Sequence, residues 1–341
     1  MRLFSHHPDR GGAPRRPFPW PRVVPLRDEE ENAVAIIETL AAQENLSNVE
    51  FLILNDNSTD KTLELIKSAA RSDSRFKIMQ GSALPHGWLG KPWALAQLSE
   101  SAKGELLICI DADVRLASTA IAAAVTAMRK NKLDFFSPYP AQVARTFGER
   151  MIQPLLQWSW ISSVPLAIAK RSANPSFAVA NGQFFIVKKS ALDKSGGYSV
   201  IKSEVLDDMQ MARVLLRNKF KGTVGNGALI AQCHMYSSWQ ELENGYAKSL
   251  WKGFGGLFGS FIAITLFILT GIVPLIAALS GSSLGWFAFV AILLSRIISA
   301  RITRSNLFDS LLHPISAGLL VYLIIYSWLM RGRIQWKGRT V

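Results

Sequence analysis

The chain has only two cysteines, Cys109 and Cys233, in 341 residues. Two lone thiols exclude a disulfide framework and offer no cysteine metal spacing. Cys109 lies in an apolar run and reads as core. Acidic residues are also scarce, with 25 Asp+Glu against 38 Lys+Arg and a formal net charge of +13. The first 30 residues lack an apolar segment of the kind a secretory leader needs, so no cleavable signal is expected. No internal repeat is visible, and a repeat architecture is not expected. Charge itself is missing from two long stretches. Between Gly253 and Ser295 there is no Asp, Glu, Lys or Arg, and from Ser310 to Met330 the only interruption is His313-Pro314. The first run exceeds one membrane span of about 20 residues and has room for two. A buried soluble helical domain is the alternative, but soluble helices rarely run so long without a charged face. The expectation is a membrane domain of two to three spans over residues 253–330.

The basic residues gather around these runs. Arg296, Arg301 and Arg304 separate two spans, and Arg331, Arg333, Lys337 and Arg339 make residues 331–341 a basic tail. The first 20 residues, rich in Pro, Gly and Arg, are predicted to be a disordered basic arm. This distribution points to anionic lipid headgroups. It argues against nucleic acid, because the basic residues are not interleaved with aromatics on a sheet or helix. Gly281-Ser282-Ser283 reads as an outer loop and Arg301/Arg304 as an inner one. A third full span would put the basic tail outside, so His313-Pro314 reads either as a re-entrant segment or as a site where the positive-inside rule is outvoted.

Before residue 250 the pattern alternates. Val49–Leu54, Phe76–Met79 and Leu106–Ile110 read as strands. Glu30–Ala42, Asp60–Ala70, Pro92–Ala102 and Thr119–Lys130 read as helices. The fold class is therefore α/β, a mostly parallel sheet with helices on both faces. Residues 151–169, with Trp158 and Trp160 and with Pro154 and Pro165 as breakers, read as an interfacial helix pair. Leu206–Lys219 reads as an amphipathic helix, and Trp239–Trp251 as a helix feeding the membrane.

An acidic series runs through the α/β part: Asp28-Glu29-Glu30, then Asn55 to Asp60, then Asp111-Ala112-Asp113, then Asp207-Asp208. The middle two groups follow apolar strands, which places their carboxylates at the carboxyl ends of a sheet, where ligands bind. Asp111-x-Asp113 presents two carboxylates that can hold Mg²⁺ or Mn²⁺ and through it a diphosphate. Taken alone, Asp-x-Asp reads better as a solvated loop; after an all-apolar strand the two readings stand level. Asp56 can accept from a base or ribose, or its turn can serve as a helix cap. Asp28 and Glu29, taken singly, read as a solvated first helical turn favoured by the dipole. Asp207-Asp208 reads as a helix N-terminus or as a general base that takes a proton from an attacking acceptor.

As an ordered set these stretches resemble the family-two glycosyltransferases of the GT-A fold. The set is Pro25-x-Arg27-Asp28-Glu29-Glu30-Glu31-Asn32, the Asn55–Asp60 turn, Gly90-Lys91-Pro92-Trp93-Ala94-Leu95, Asp111-x-Asp113, Gly196-Gly197-Tyr198 and Asp207-Asp208. The segment Gly81–Lys91 and the tail Trp336-Lys337-Gly338-Arg339 are more narrowly similar to membrane-bound glycosyltransferases of carotenoid and hopanoid pathways, the diaponeurosporenoate glycosyltransferase type. The resemblance implies a GT-A domain over residues 21–250 and a UDP-sugar donor. It places Arg27, Asp28, Glu29, Asp56, Lys91 and Asp111 on the nucleotide-sugar side and Asp113 as ligand of Mg²⁺ or Mn²⁺. It makes Asp208 the base of an inverting transfer, with Asp207 where the family often has Glu. The implied protein is a multi-pass cell-membrane enzyme, its catalytic domain facing the cytoplasm, that moves one sugar, with glucose expected, to a lipid acceptor such as a carotenoid acid.

Two departures shape the alternatives. The Gln-x-x-Arg-Trp signature of polymerising synthases is missing after Asp208, so polymer synthesis is not expected. Strand one, read as Arg22–Pro25, looks about three residues short, which would weaken nucleotide binding. The alternatives are a polyprenyl-phosphate glycosyltransferase and an inactive membrane protein retaining the fold.

Overall fold

A computed structural model describes residues 20–46, 49–71, 73–333, 335–336 and 339–340. The expected basic arm lies outside the described residues up to residue 19, and so does Lys337 of the tail. The chain divides into two units, one made of residues 1–140 and 166–233, the other of 141–165 and 234–341.

The first unit is built on β1 (Trp20–Leu26), α1 (Glu30–Ala41), β2 (Val49–Asn55), α2 (Thr62–Ala70), β3 (Phe76–Gln80), α3 (Gly90–Ser101), β4 (Leu106–Ile110), β5 (Val114–Leu116), α4 (Ala120–Lys130) and β6 (Phe135–Tyr139). After β7 (Ala141–Gln142) and α5 (Phe147–Ser163), which belong to the second unit, it resumes with α6 (Leu166–Ala169), β8 (Phe184–Lys188), α7 (Lys189–Lys194), α8 (Asp207–Arg217), β9 (Gly222–Asn226) and β10 (Ala231–Cys233). The main sheet runs β3-β2-β1-β4-β8-β6-β9. Strands β3, β2, β1 and β4 are parallel, with Val24 opposite Ile53 and Val23 opposite Cys109. β8 is antiparallel to both β4 and β6, and β6 and β9 are parallel. The expected mostly parallel sheet is present, with β8 as its reversed member.

Parallel strands covered on both faces carry continuous apolar runs, and β4 (Leu-Leu-Ile-Cys-Ile) is buried at every position. One face packs Leu52, Leu107, Cys109, Phe135 and Phe185 against Leu95 and Leu98 of α3 and Met211 and Leu215 of α8. Phe51 and Ile53 of β2, one residue out of phase, are fully buried on the opposite face.

The chain lays β1, β2 and β3 in one direction and returns to place β4 on the other side of β1. The carboxyl ends of β1 and β4 therefore meet at a topological switch point, where such sheets leave a crevice. Strand one is not short. It pairs with β2 from Trp20 to Leu26, over seven residues. The prolines at 21 and 25 hide it from a sequence reading, because Pro has no N–H for a ladder. Pairing with β4 is registered at Arg22 and Val23, between the two prolines.

The second unit contains α5, α9 (Trp239–Ala247), α10 (Leu250–Gly253), α11 (Gly256–Gly271), α12 (Val273–Leu279), α13 (Ser283–Thr303) and α14 (His313–Leu329). Thr146 caps α5 in a capping box: Glu149 N–H donates to its hydroxyl, and the Glu149 carboxylate accepts from Thr146 N–H at 2.9 Å. Pro154 does not break α5, contrary to expectation; the helix carries it inside and ends before Pro165. Among the described residues, three stretches are long and apolar enough to cross a membrane by length and composition: Gly256–Leu279, Ser283–Thr303 and Leu307–Leu329. His313-Pro314 is no interruption. It opens α14, where a first-turn proline gives up no hydrogen bond.

Gly222 sits in β9 opposite Phe135 of β6, and a Cβ there would lie 2.3 Å from the Phe135 ring. Gly222→Ala is expected to lower stability by roughly 1–3 kcal/mol through overpacking. A drop in the melting temperature of the purified chain would show it, and an unchanged value would mean the sheet end adapts.

Candidate active site

The loops leaving β1 and β2 are fastened to each other. Arg27 Nη1 donates to the carbonyls of Asp56 (2.7 Å) and Asn57 (3.1 Å). The Asp28 carboxylate accepts from Thr59 N–H at 2.8 Å, and Asp28 N–H donates to Ser58 Oγ at 3.0 Å. Glu29 N–H donates to Thr62 Oγ1. Asp28 and Asn57 adopt positive φ, 48° and 54°, a region in which Asp and Asn are the tolerated side chains. Helix α2 starts at Thr62 rather than at the expected Asp60, whose carboxylate instead accepts from Thr62 N–H at 3.0 Å. Arg27 and Asp28 thus shape the loops. Asp56 is buried where β2 ends, and Glu29 holds Asn32 Nδ2 at 3.0 Å.

Beside them stands a cluster of charge. Lys91, in the first turn of α3, has its ammonium 2.8 Å from the Asp111 carboxylate at the end of β4. Burial by itself would lower the Lys91 pKa, but Asp111, Asp207 and Asp208 together raise it, so the ammonium stays charged. Asp207 and Asp208 open α8. The Asp208 carboxylate accepts from Gly182 N–H at 2.6 Å and from Met209 N–H at 2.7 Å, which fixes its plane. Burial raises the pKa of both carboxyls; Lys91 opposes the rise in each, and Asp111 adds to it in each. Gly182 lies against this group, because a Cβ there would sit 3.1 Å from Lys91 Nζ.

Asp113 completes the arrangement. Burial pushes its carboxyl up to about 7, Asp111 and Glu29 add to the rise, and the Cys233 thiol and Lys91 counter it. Its Oδ1 is buried without a hydrogen-bond partner. Arg115, two residues on, faces Asp113 and Glu29 while its guanidinium holds Ala112 O and Asn32 Oδ1, both at 2.7 Å.

The structure therefore brings Lys91, Asp111, Asp113, Asp207 and Asp208 to one place, with Glu29 close enough to act on Asp113. Arg27 and Asp28 are spent on the neighbouring loop. Sequence reasoning missed Arg115, Gly182 and Cys233. Arg115 continues the Asp111-x-Asp113 spacing and could have been found; Gly182 and Cys233 carry no local signal.

Residues 23–196 match the sequence pattern described as Glycosyl transferase family 2. The chain belongs to that family. This family-2 glycosyltransferase is 26% identical over 231 residues to the β-monoglucosyldiacylglycerol synthase of Nostoc sp., a match covering 65% of this chain and 45% of that one. It thus spans under half the length of that curated relative. It is 22% identical over 334 residues to the 4,4'-diaponeurosporenoate glycosyltransferase of Staphylococcus aureus, covering 93% of this chain and 86% of that one. A mannosyltransferase from Pyrobaculum calidifontis, solved with GDP-Man and Mn²⁺, superposes with a TM-score of 0.56 at 14% identity, over 96% of this chain and 91% of that one. That likeness shows the fold, which is the GT-A arrangement expected from the sequence.

An unfolded Asp titrates near 4, so between about pH 4 and 7 native Asp113 holds a proton that the unfolded chain releases. Stability from this group falls as pH rises through that window. Metal-free Asp113→Asn is expected to gain on the wild type in melting temperature from about pH 5 to pH 8. Mn²⁺ is expected to raise the wild-type melting temperature at pH 8, with apparent affinity falling about tenfold per unit below pH 7 as protons compete. Equal stabilisation of the variant by Mn²⁺ would remove Asp113 from the ligand set.

Proposed function

We propose that this chain transfers a single sugar, with glucose the expected one, from a UDP-sugar to a lipid acceptor, inverting the anomeric centre. The observation that carries the reading is the Lys91 ammonium held among Asp111, Asp207 and Asp208 at the switch point, with Asp113 beside it. A site built for a dianionic diphosphate needs fixed positive charge, and Lys91 supplies it. The carboxylates are arranged for a cation and for a proton.

Among the described residues no three His, Cys, Asp or Glu side chains form a closed metal cage. That suits Mg²⁺ or Mn²⁺, which take one or two carboxylates and complete their shell with phosphate oxygens and water. Asp113, with its unpartnered buried Oδ1, and Asp111 are the residues that would hold it. Such an ion, when bound, supplies Lewis-acid stabilisation of the departing diphosphate.

The protein's own groups do the rest. The acceptor oxygen attacks the anomeric carbon as the bond to the diphosphate breaks, and Asp208 takes the acceptor's proton. Its raised pKa and its two backbone donors suit a base held in one orientation. Asp207, buried next to it, tunes the charge around Lys91. Asp56, Glu29 and the loops that Arg27 and Asp28 fasten form the nucleoside side. A lipid acceptor is supported by the three apolar helices and by relatives named for a glucosyldiacylglycerol and for diaponeurosporenoate. In this reading the catalytic unit faces the cytoplasm.

Membranes carrying the full chain, given labelled UDP-glucose and Mn²⁺, are expected to yield label in extracted lipid, and Asp113→Ala to abolish it. Asp208→Asn is expected to lower kcat by about 10²–10⁴ while KM for the donor stays within a few-fold. Transfer confined to water-soluble acceptors would overturn the lipid assignment. A kcat unchanged in Asp208→Asn would point to an acceptor already ionised, such as a polyprenyl phosphate.

A further inference from the structure

The second unit buries a guanidinium that none of its described carboxylates pairs with directly. Arg296, on α13, is 2% exposed. Its Nη1 donates to the Pro154 carbonyl at 2.8 Å, its Cζ lies 5.9 Å from the Trp158 ring, and its Nε is buried with no hydrogen-bond partner. Among the described residues no carboxylate comes within 4.0 Å of it. The buried acid in this part of the unit, Asp309, is already taken. Arg150 grips it with two bonds, of 2.5 and 3.0 Å.

More unpartnered groups are buried on α5, on α13 and on the 3-10 helix Leu307–Leu312 that follows it. Gln153 precedes the proline that Arg296 contacts, and neither its Oε1 nor its Nε2 has a partner. Ser299 stands one turn after Arg296 on α13, and Ser310 follows Asp309; both hydroxyls are buried and unpartnered. A buried charge without a counterion costs several kcal/mol, and each orphaned polar group adds to that. Ionisable residues inside apolar spans mark binding or transport sites as a rule.

We infer that Arg296, Gln153, Ser299 and Ser310 form a binding site for the anionic group of a membrane amphiphile, a carboxylate or a phosphate. The guanidinium supplies charge and a donor, and the serine hydroxyls and the Gln153 amide supply further donors. Arg296 lies seven residues before the end of the Ser283–Thr303 span, about 10 Å in at 1.5 Å per residue. The whole span is about 30 Å long, the thickness of a bilayer's hydrocarbon core, so Arg296 sits inside the acyl region, within reach of a group that an apolar chain carries in. A free anion would have to shed its hydration to reach it, whereas a lipid carries its own charge there. The site is independent of the catalytic reading.

The full chain, purified in a neutral detergent, can be titrated with dioleoylphosphatidylglycerol, dioleoylphosphatidylcholine, oleate and oleyl alcohol, followed by melting temperature and native mass spectrometry. At least one anionic amphiphile is expected to bind about tenfold or more tightly than its neutral counterpart. Phosphatidylglycerol alone would assign a phosphate-bearing lipid, and oleate alone a carboxylate one. Arg296→Gln is expected to erase the preference. Arg331→Gln, which removes a cation stacked over Trp251 at 4.5 Å, is expected to keep it. Should Arg296→Gln fail to fold, the wild type in about 1 M NaCl decides, because salt screens surface cations and spares a buried one. Equal binding of neutral and anionic amphiphiles, loss of the preference in salt, or its survival in Arg296→Gln would each overturn the site.

Discussion

One ammonium group organises the catalytic unit. Asp111 comes from a strand end, Asp207 and Asp208 from a helix start nearly a hundred residues later, and like charges so gathered repel one another. Lys91 lies among all three and touches Asp111 directly. It is carried by the first turn of α3, a helix whose Leu95 and Leu98 are locked into the sheet's core. The position of the charge is therefore set by packing, and the packing is set by the apolar runs of β1, β2 and β4. The same ammonium that offsets the carboxylates before a donor arrives would face its diphosphate afterwards.

The sheet and the site differ in how far the sequence discloses them. β2, β4 and α1 are legible because their apolar runs and periods are long and their ends carry turn residues. Asp111-x-Asp113 and Lys91 are legible because each abuts such an element. Asp207-Asp208 needed the ordered set, since adjacent acids at a helix start are common. Gly182 and Cys233 could not be read, because their neighbours in space come from elements far away in the chain. Arg27 and Asp28, which the resemblance places on the nucleotide-sugar side, also carry a structural role that the sequence did not disclose: their side chains fasten the loop after β2.

Prolines account for two further differences. Pro25 made strand one look truncated, yet β1 pairs along its whole length with β2. Pro154 looked like a break, yet α5 continues through it, tied down by its capping box at one end and by Arg296 at the Pro154 carbonyl. Proline removes one donor and adds one clash. Neighbouring elements can compensate for both, and sequence alone does not show those neighbours.

The fastening between the loops after β1 and β2 has a consequence for how such a chain could change over generations. Arg27 holds the Asp56 and Asn57 carbonyls, Asp28 is bonded to Ser58 and Thr59, and Glu29 N–H is bonded to Thr62, through side chain and backbone together. A replacement at any one of them loosens two loops at once. If these loops form the nucleoside side, as proposed, a switch of donor nucleotide would demand several coordinated substitutions. Single substitutions are tolerated more readily away from this corner than within it.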